Sequence, residues 1–267
     1  MIAPVVEPGW LRDHPEAVVA DVRWYLDGRS GRDAYLAGHL PGAVFVDLDR
    51  HLAGPPGPHA GRHPLPDPAD FAAAMAGVGI GDDSLVVAYD DAGGTVAARL
   101  VWMLRVLGVD AALLDGGLAA CDGDLERGTA PRPPARFSAR PWPADRLAGI
   151  EDVSRPAGPV IDARDPARFR GEHEPVDPRA GHIPGAVNLP CRANLGPDGR
   201  FRPAAELRER FASAGAGPGT ISYCGSGVTA CHNLLALELA GLGPGRLYPG
   251  SWSQYSSDPS RPAASGT

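Results

Sequence analysis

One cysteine in the sequence has the surroundings of a nucleophile. Cys224 follows a short β-prone run, residues 221–223, and opens the stretch CGSGVTA, after which a run of helix formers begins. A strand that ends in a glycine-containing turn before a helix points free backbone N–H groups at the first side chain of that turn. Such a setting stabilises an anion and favours the thiolate form of a cysteine. The pattern predicts a nucleophile, or a carrier of an anionic group bound to sulfur.

The other cysteines lack this combination of strand end, flanking glycines and nearby hydroxyls. They are predicted to be structural: Cys121, Cys191 and Cys231. Cys231 follows Cys224 by two helical turns, which leaves a resolving-thiol role open for it. No two cysteines form a Cys-x-x-Cys pair, so neither a metal site nor a disulfide framework is expected. This cysteine usage is typical of a reducing cytoplasm.

The composition excludes several classes of function. The chain has 267 residues and a net charge of −7, and all of its 25 basic residues are arginines. The absence of lysine excludes Schiff-base chemistry, pyridoxal-phosphate enzymes and a P-loop. The acidic balance argues against nucleic acid as a partner. No apolar run approaches the ~18 residues of a membrane span, and the first residues do not resemble a signal peptide.

The sequence contains two copies of one pattern, which predicts two homologous domains. Residues 18–49 are echoed by 159–190, and residues 84–108 are echoed by 219–243. When the two copies are aligned, Asp90 stands opposite Cys224. The predicted boundaries are a first domain over 1–126, a semi-extended proline- and arginine-rich linker over 127–146, and a catalytic domain over 147–267. The tail after Tyr255 is expected to be mobile.

Each copy alternates short β-branched runs with amphipathic helical runs. This alternation predicts an α/β fold in which each domain has a parallel sheet with helices on both faces. The predicted strands are 18–22, 43–46, 85–89 and 111–114 in the first copy, and 160–162, 186–189 and 220–223 in the second. The predicted helices are 68–77, 95–107, 204–212 and 229–239.

The chain resembles the two-domain rhodanese sulfurtransferases over residues 5–255. The resemblance rests on the repeated GHLPGAV and GHIPGAV, on YCGSGVTA and on the closing YPGSWSQY. It implies that Cys224 carries a persulfide in a six-residue cradle that also comprises Gly225, Ser226, Gly227, Val228 and Thr229. The first domain, with Asp90 in place of the cysteine, is expected to carry no sulfur. No cofactor or metal is implied.

The resemblance also implies a donor and its binding residues. Loops of the Cys-Gly-Ser-Gly type resemble those of 3-mercaptopyruvate sulfurtransferases, and a loop without a cation favours the less charged donor over thiosulfate. Arg168 matches the position that binds the donor's carboxylate or carbonyl. A second family arginine is expected nine residues later, where this chain has Asp177. Two alternatives stay open: Arg179 replaces that arginine as a substrate-binding residue, or the pocket is less cationic.

Proton handling is assigned by resemblance to residues of both domains. Ser226 is expected to move the proton of the attacking or leaving group, and His39 and Asp33 are expected to handle protons at the domain interface. His182, the equivalent of His39 in the second copy, is predicted to be structural, and Trp252 is predicted to pack near the loop.

Two alternatives remain open, and a third is disfavoured. A thiosulfate:cyanide sulfurtransferase would use the same mechanism. A non-enzymatic persulfide carrier or regulatory rhodanese module is the second, although such modules are usually single domains or lack the cysteine. A cysteine phosphatase would need an arginine that closes the loop, and this chain has Ala230 and Cys231 there. The expected sulfur acceptor is cyanide, a thiol or a thioredoxin-like protein.

Overall fold

The structure of the protein, a computed structural model, describes all residues from 1 to 267. The chain forms two compact units. The first unit consists of Met1–Ala53, Pro66–Trp142 and Gly196–Phe201, and the second of Gly54–Leu65, Pro143–Leu195 and Arg202–Thr267. The stretch Gly54–Leu65 therefore belongs to the second unit although it lies within the first copy of the repeat.

The first unit is built on a five-stranded parallel sheet in the order β1-β5-β4-β2-β3. Its strands are β1 (Val5–Val6), β2 (Val18–Asp21), β3 (Val44–Phe45), β4 (Leu85–Tyr89) and β5 (Asp110–Leu114). Its helices are α1 (Pro8–Asp13), α2 (Gly31–Ala37), α3 (Leu48–His51), α4 (Pro68–Gly77) and α5 (Ala97–Val106), with a short 3-10 helix at Gly117–Ala120. Strand β4 and helix α5 are almost wholly buried, as a central parallel strand and its crossover helix must be.

The second unit has a four-stranded parallel sheet in the order β7-β6-β8-β9. Its strands are β6 (Val160–Asp162), β7 (Val187–Asn188), β8 (Ile221–Tyr223) and β9 (Arg246–Leu247). Its helices are α6 (Ile150–Ser154), α7 (Pro166–Phe169), α8 (Ala204–Ser213), α9 (Ala230–Leu239) and α10 (Ser251–Tyr255), with 3-10 helices at Ala144–Arg146 and Cys191–Asn194. Strand β8 lies in the middle of the sheet and leads directly to Cys224 and α9.

Each unit contains a buried ion pair at the end of an inner strand. Asp21 in β2 pairs with Arg23 at 2.7 Å, and Asp162 in β6 pairs with Arg164 at 2.6 Å. Each guanidinium also donates to the carbonyl of the glycine that precedes the repeated histidine. Because a buried charge is costly unless it is paired, both copies keep the pair together.

The linker and the tail differ from the sequence-based expectations. Residues 127–142 pack along the first unit, where Arg140 pairs with Asp82 at 2.8 Å and the N–H of Ala135 bonds the carbonyl of Ala76. The prediction of a mobile tail is wrong, because Ala264 and His182 exchange two backbone hydrogen bonds of 2.9 and 2.8 Å. None of the helices has the length and apolar character needed to cross a bilayer.

Candidate functional site

Cys224 lies at the carboxyl end of β8, where an open α/β sheet typically places its site. Its side chain is 2% exposed. Its Sγ accepts the backbone N–H of Gly227 at 3.1 Å, and its own backbone N–H donates to Ser251 Oγ at 3.1 Å. Its carbonyl accepts the N–H of Trp252 at 3.0 Å. The thiol is therefore held in the turn between β8 and α9, as the sequence predicts.

The cradle depends on two glycines for different reasons. Gly227 has φ +80°, and a Cβ there would lie 2.6 Å from the carbonyl oxygen of Pro249. Only glycine combines this backbone conformation with such a close approach, and the turn aims the Gly227 N–H at sulfur. Gly225 instead faces side chains, since a Cβ there would lie 3.0 Å from Arg62 Nη2. Val228 is buried, and α9 begins just after Thr229.

Ser226 faces a histidine that sequence reasoning missed. His63 Nδ1 lies 2.7 Å from Ser226 Oγ, a hydrogen-bond distance whose direction follows the tautomer of His63. The hydroxyl belongs to the second residue after Cys224, and His63 comes from Gly54–Leu65 in the same unit. A hydroxyl hydrogen-bonded to an imidazole can accept and return a proton beside the thiol.

Arg168 lies beside the loop, within a cluster of paired charges. Its Nε and Nη2 donate to Glu174 at 3.2 and 2.6 Å, and Nη2 also donates to Asp177 at 3.0 Å. Its Nη1 lies 3.4 Å from the point that a Cβ on Gly225 would occupy. Asp177 also accepts a hydrogen bond from Arg62. Although the loop has no cation of its own, two guanidinium groups thus lie next to it.

The two carboxyl groups of this cluster have opposite pKa shifts. Burial opposes ionisation of Glu174, but hydrogen bonds from Arg168 and from backbone N–H groups outweigh it and lower the pKa. Burial raises the pKa of Asp177, and the charges of Arg62 and Arg168 limit that rise. Each carboxylate nevertheless has a guanidinium within hydrogen-bond distance.

Arg179 does not replace the arginine expected at position 177. Its guanidinium donates to the backbone carbonyls of four residues in the C-terminal segment, at 2.7 to 3.2 Å: Tyr255, Ser256, Asp258 and Arg261. The backbone carbonyl of Arg179 accepts the indole N–H of Trp252 at 2.8 Å. These contacts engage its guanidinium nitrogens, so the prediction of a substrate contact through Arg179 is corrected to a structural role.

His39 and Asp33 have local structural roles in the first unit. His39 is fully buried, stacks on Tyr35 at 4.0 Å between ring centroids, and has Nδ1 2.9 Å from the Tyr35 carbonyl. Asp33 is exposed in the first turn of α2, where its N–H donates to Ser30 Oγ. His182 repeats the arrangement, since it stacks on Phe169 and bonds its carbonyl. These contacts do not support the proton-handling role expected for His39 and Asp33.

The corresponding loop of the first unit holds a carboxylate. Asp90 is 1% exposed and follows β4 as Cys224 follows β8. Its Oδ1 accepts the N–H groups of Ala92 and Gly94 at 2.8 and 2.7 Å, and its Oδ2 accepts those of Val96 and Ala97 at 2.8 and 2.9 Å. Burial raises the pKa of Asp90, and these four N–H donors oppose the rise.

Two other cysteines pack around the loop that begins at Cys224. Cys191 is buried near Cys224, and burial together with that neighbouring thiol raises its pKa to about 12. A hydrogen bond with Thr229 opposes the rise. Cys231 donates its thiol proton to the carbonyl of Gly227 at 3.4 Å. No group of three or more His, Cys, Asp or Glu side chains is placed to hold a metal ion.

Comparison with known proteins identifies the family. The rhodanese-like domain matches the chain twice, over residues 7–123 and 144–258. The chain belongs to the rhodanese family. A probable 3-mercaptopyruvate sulfurtransferase of Pseudomonas aeruginosa is 45% identical over 265 residues, which cover 94% of this chain and 93% of that protein. A putative thiosulfate sulfurtransferase, SseB of Mycobacterium tuberculosis, is 42% identical over 271 residues, or 97% of this chain and 94% of that protein.

A solved rhodanese structure agrees with the architecture. The crystal structure of the 3-mercaptopyruvate sulfurtransferase SseA from Escherichia coli matches with a TM-score of 0.81 at 35% identity. The match covers 94% of this chain and all of that one. The tandem rhodanese organisation, the α/β fold and the assignment to the sulfurtransferase enzymes are therefore confirmed.

Proposed function

We propose that this rhodanese moves a sulfane sulfur from 3-mercaptopyruvate to a nucleophilic acceptor through a persulfide on Cys224. The proposal rests on two hydrogen-bond contacts in the loop that carries this sulfur atom. Cys224 Sγ accepts the Gly227 N–H at 3.1 Å, and the hydroxyl of Ser226 lies 2.7 Å from His63. The thiol thus has an anion-stabilising turn and a proton relay within two residues.

In the first half-reaction the Cys224 thiolate attacks the sulfur of the donor. The S–S bond forms as the carbon–sulfur bond breaks, and the electron pair goes to the departing carbon as the enolate of pyruvate. The donor's thiol proton passes to the enolate carbon, through Ser226 and His63, and pyruvate leaves. The outer sulfur remains on Cys224.

In the second half-reaction an acceptor thiolate or cyanide attacks the outer sulfur. The persulfide bond breaks, and its electron pair returns to Cys224, which regenerates the thiolate. The Gly227 N–H stabilises the negative charge on sulfur in both halves, and no cofactor is needed. The proposed sulfur acceptor is cyanide, a small thiol or a thioredoxin-like protein. The proposed location is a reducing cytoplasm, which the four free cysteines support.

The donor assignment rests on the uncharged loop and on Arg168. The unpaired Nη1 of Arg168 beside Gly225 is placed to bind a carboxylate or a carbonyl oxygen, whereas no cation lies within the loop itself. Thiosulfate is the second candidate, because guanidinium groups beside the loop could also bind a dianion and the M. tuberculosis relative is named for that donor.

The test is a steady-state comparison of the two donors with cyanide as the common acceptor. Pyruvate release with 3-mercaptopyruvate and sulfite release with thiosulfate are measured against thiocyanate formation. We expect stoichiometric pyruvate and thiocyanate, and a higher kcat/KM for 3-mercaptopyruvate. A higher kcat/KM for thiosulfate would reassign the donor, and turnover with neither donor would contradict the proposed function.

A further inference from the structure

Two guanidinium groups converge on Gly225, one residue after the cysteine. Arg168 Nη1 lies 3.4 Å, and Arg62 Nη2 lies 3.0 Å, from the point that a Cβ on Gly225 would occupy. Sequence comparison leads one to expect a second arginine at position 177, where this chain has an aspartate. The second guanidinium at the loop instead comes from Gly54–Leu65, a stretch that is remote in sequence but belongs to the same unit.

Arg62 is held in place at both ends. Its backbone N–H donates to Ser253 Oγ at 3.1 Å, next to Gly61, whose Cβ position would be 2.7 Å from the carbonyl of Gly250. Its Nη1 donates to Asp177, whose side chain is only 2% exposed. Because both the backbone and the guanidinium are anchored, the direction of the remaining N–H groups is fixed.

Those remaining N–H groups have no acceptor in the protein. Arg62 uses Nη1 for Asp177, and its Nε and Nη2 make no hydrogen bond. Arg168 uses Nε and Nη2 for Glu174 and Asp177, and its Nη1 makes none. The side chains of Arg62 and Arg168 are 29% and 15% exposed, so both are accessible to a small molecule. Two of these three nitrogens, Arg62 Nη2 and Arg168 Nη1, lie beside Gly225, and two donors of fixed direction suit a carboxylate.

We infer that Arg62 is the second carboxylate-binding group of the donor site, and that Asp177 is the residue that positions it. Asp177 accepts from Arg62 and from Arg168 at once, and so aligns both guanidinium groups toward Gly225. The cluster of Arg62, Arg168, Glu174 and Asp177 is formally neutral, so it recognises one carboxylate by directed hydrogen bonds more than by net charge. This inference rests on the proposed function.

A structural role for Arg62 makes a different prediction. If the ion pair only fastened Gly54–Leu65 to its unit, replacing Arg62 would lower the stability and leave the affinity for the donor unchanged. If Arg62 binds the donor's carboxylate, its replacement acts on donor loading alone. Inorganic polysulfide, which has no carboxylate, can load Cys224 by a route that does not use the arginines.

The experiment compares three variants with a matched control. Arg62→Met removes the donor group, Asp177→Asn loosens its positioning, and the double variant Arg62→Asp with Asp177→Arg exchanges the pair. The control is Arg170→Met, because Arg170 pairs only with the exposed Glu172. For each variant we measure KM and kcat with 3-mercaptopyruvate, single-turnover loading by polysulfide, discharge to cyanide, and urea unfolding.

We expect Arg62→Met to raise KM for 3-mercaptopyruvate by about 10- to 100-fold, as for the loss of a charge-assisted hydrogen bond. Polysulfide loading and discharge should match the wild type. Asp177→Asn should raise KM by a smaller factor, and the exchanged pair should recover most of the affinity. An unchanged KM for Arg62→Met, or an equal rise for Arg170→Met, would overturn the inference.

A conservative variant distinguishes a loss of donor binding from a folding defect. Arg62→Lys keeps a cation for Asp177, but its single ammonium nitrogen cannot reach both Asp177 and the loop as the forked guanidinium does, so KM should still rise. A wild-type KM in Arg62→Lys would contradict the assignment. Failure of the proposed function is separate: the wild-type protein would then acquire no sulfur on Cys224 from 3-mercaptopyruvate, whatever stands at position 62.

Discussion

The loops after β4 and β8 share one design and differ in the side chain that they hold. In the first unit the Asp90 carboxylate accepts four backbone N–H groups, which fill both of its oxygens. In the second unit Cys224 Sγ accepts the N–H of Gly227. The first loop is therefore occupied by its own side chain. The second presents a short side chain that can extend by one sulfur atom within the same kind of turn.

The two loops also differ in the turn whose N–H bonds the carbonyl of the first loop residue. In the first unit the carbonyl of Asp90 accepts the N–H of Leu118, next to Gly117 with φ +57°. In the second unit the carbonyl of Cys224 accepts the N–H of Trp252, next to Ser251 with φ +51°. Ser251 is the only non-glycine residue with positive φ, and its hydroxyl accepts the Cys224 N–H. The copy that contains Cys224 thus keeps a strained serine where the other copy has glycine.

The largest effect should follow from making the two loops alike. Cys224→Asp places the carboxylate of the first loop in the second, so transfer should fall by at least about 10³-fold. Thiocyanate formation measures the loss, and Cys121→Ser, in the first unit, serves as the control with wild-type activity. Substantial activity in Cys224→Asp would show that sulfur is carried elsewhere.

The next effect concerns stability in the first loop. Asp90→Ala leaves four N–H groups without an acceptor, three of them buried, and should lower the free energy of unfolding by about 3 kcal/mol or more. Urea denaturation measures the change. Asp90→Cys should carry no sulfur, because Asp91 and Ala92 do not reproduce the Gly-Ser of the working loop. A persulfide at position 90 would mean that the turn alone suffices.

The next prediction concerns the proton relay of Ser226 and His63, which belongs to the second loop. His63→Gln should lower kcat/KM with 3-mercaptopyruvate by about 10²-fold, because the hydroxyl of Ser226 loses the base that accepts its proton. His173→Gln, at an exposed histidine of the same unit, is the matched control. If both variants kept wild-type kinetics, Ser226 and His63 would have no part in proton transfer.

The smallest effect belongs to the strained turn. Ser251→Gly copies the first unit, so it relieves the positive φ but removes the acceptor of the Cys224 N–H. These two terms oppose each other, and the free energy of unfolding should change by less than about 1 kcal/mol. Transfer should fall several-fold, because the backbone of Cys224 is less firmly held. Unchanged kinetics would indicate that this hydrogen bond does not position the thiol.

Local patterns were sufficient to predict seven of the nine strands and the position of the nucleophile, whereas the two-residue strands β1 and β9 were not predicted. Strands β4 and β6 and helix α4 have the predicted bounds, because continuous apolar runs and an N-cap aspartate define them locally. The cysteine loop was predicted from its glycines and from the repeat. The bounds of these elements and the glycine-containing loop depend on residues that are close together in the sequence.

The residues that complete the site depend on contacts that no local pattern encodes. His63 and Ser226 are 163 positions apart, and Arg62 and Asp177 are 115 apart. The stretch GPPGPHAGRHPL reads as an ordinary loop, although its Arg-His pair has no counterpart in the second copy and could have signalled a role. Arg179 was misassigned because the tail whose carbonyls it binds was expected to be mobile.

The most direct test of the account is peptide-resolved mass spectrometry after incubation with 3-mercaptopyruvate, and separately with thiosulfate. We predict the mass of one added sulfur on the peptide that contains Cys224, its removal by cyanide, and no such adduct on the peptides of Cys121, Cys191 or Cys231. Loading should be faster with 3-mercaptopyruvate. An unmodified Cys224 peptide with both donors, or the added sulfur on another cysteine, would contradict the persulfide mechanism.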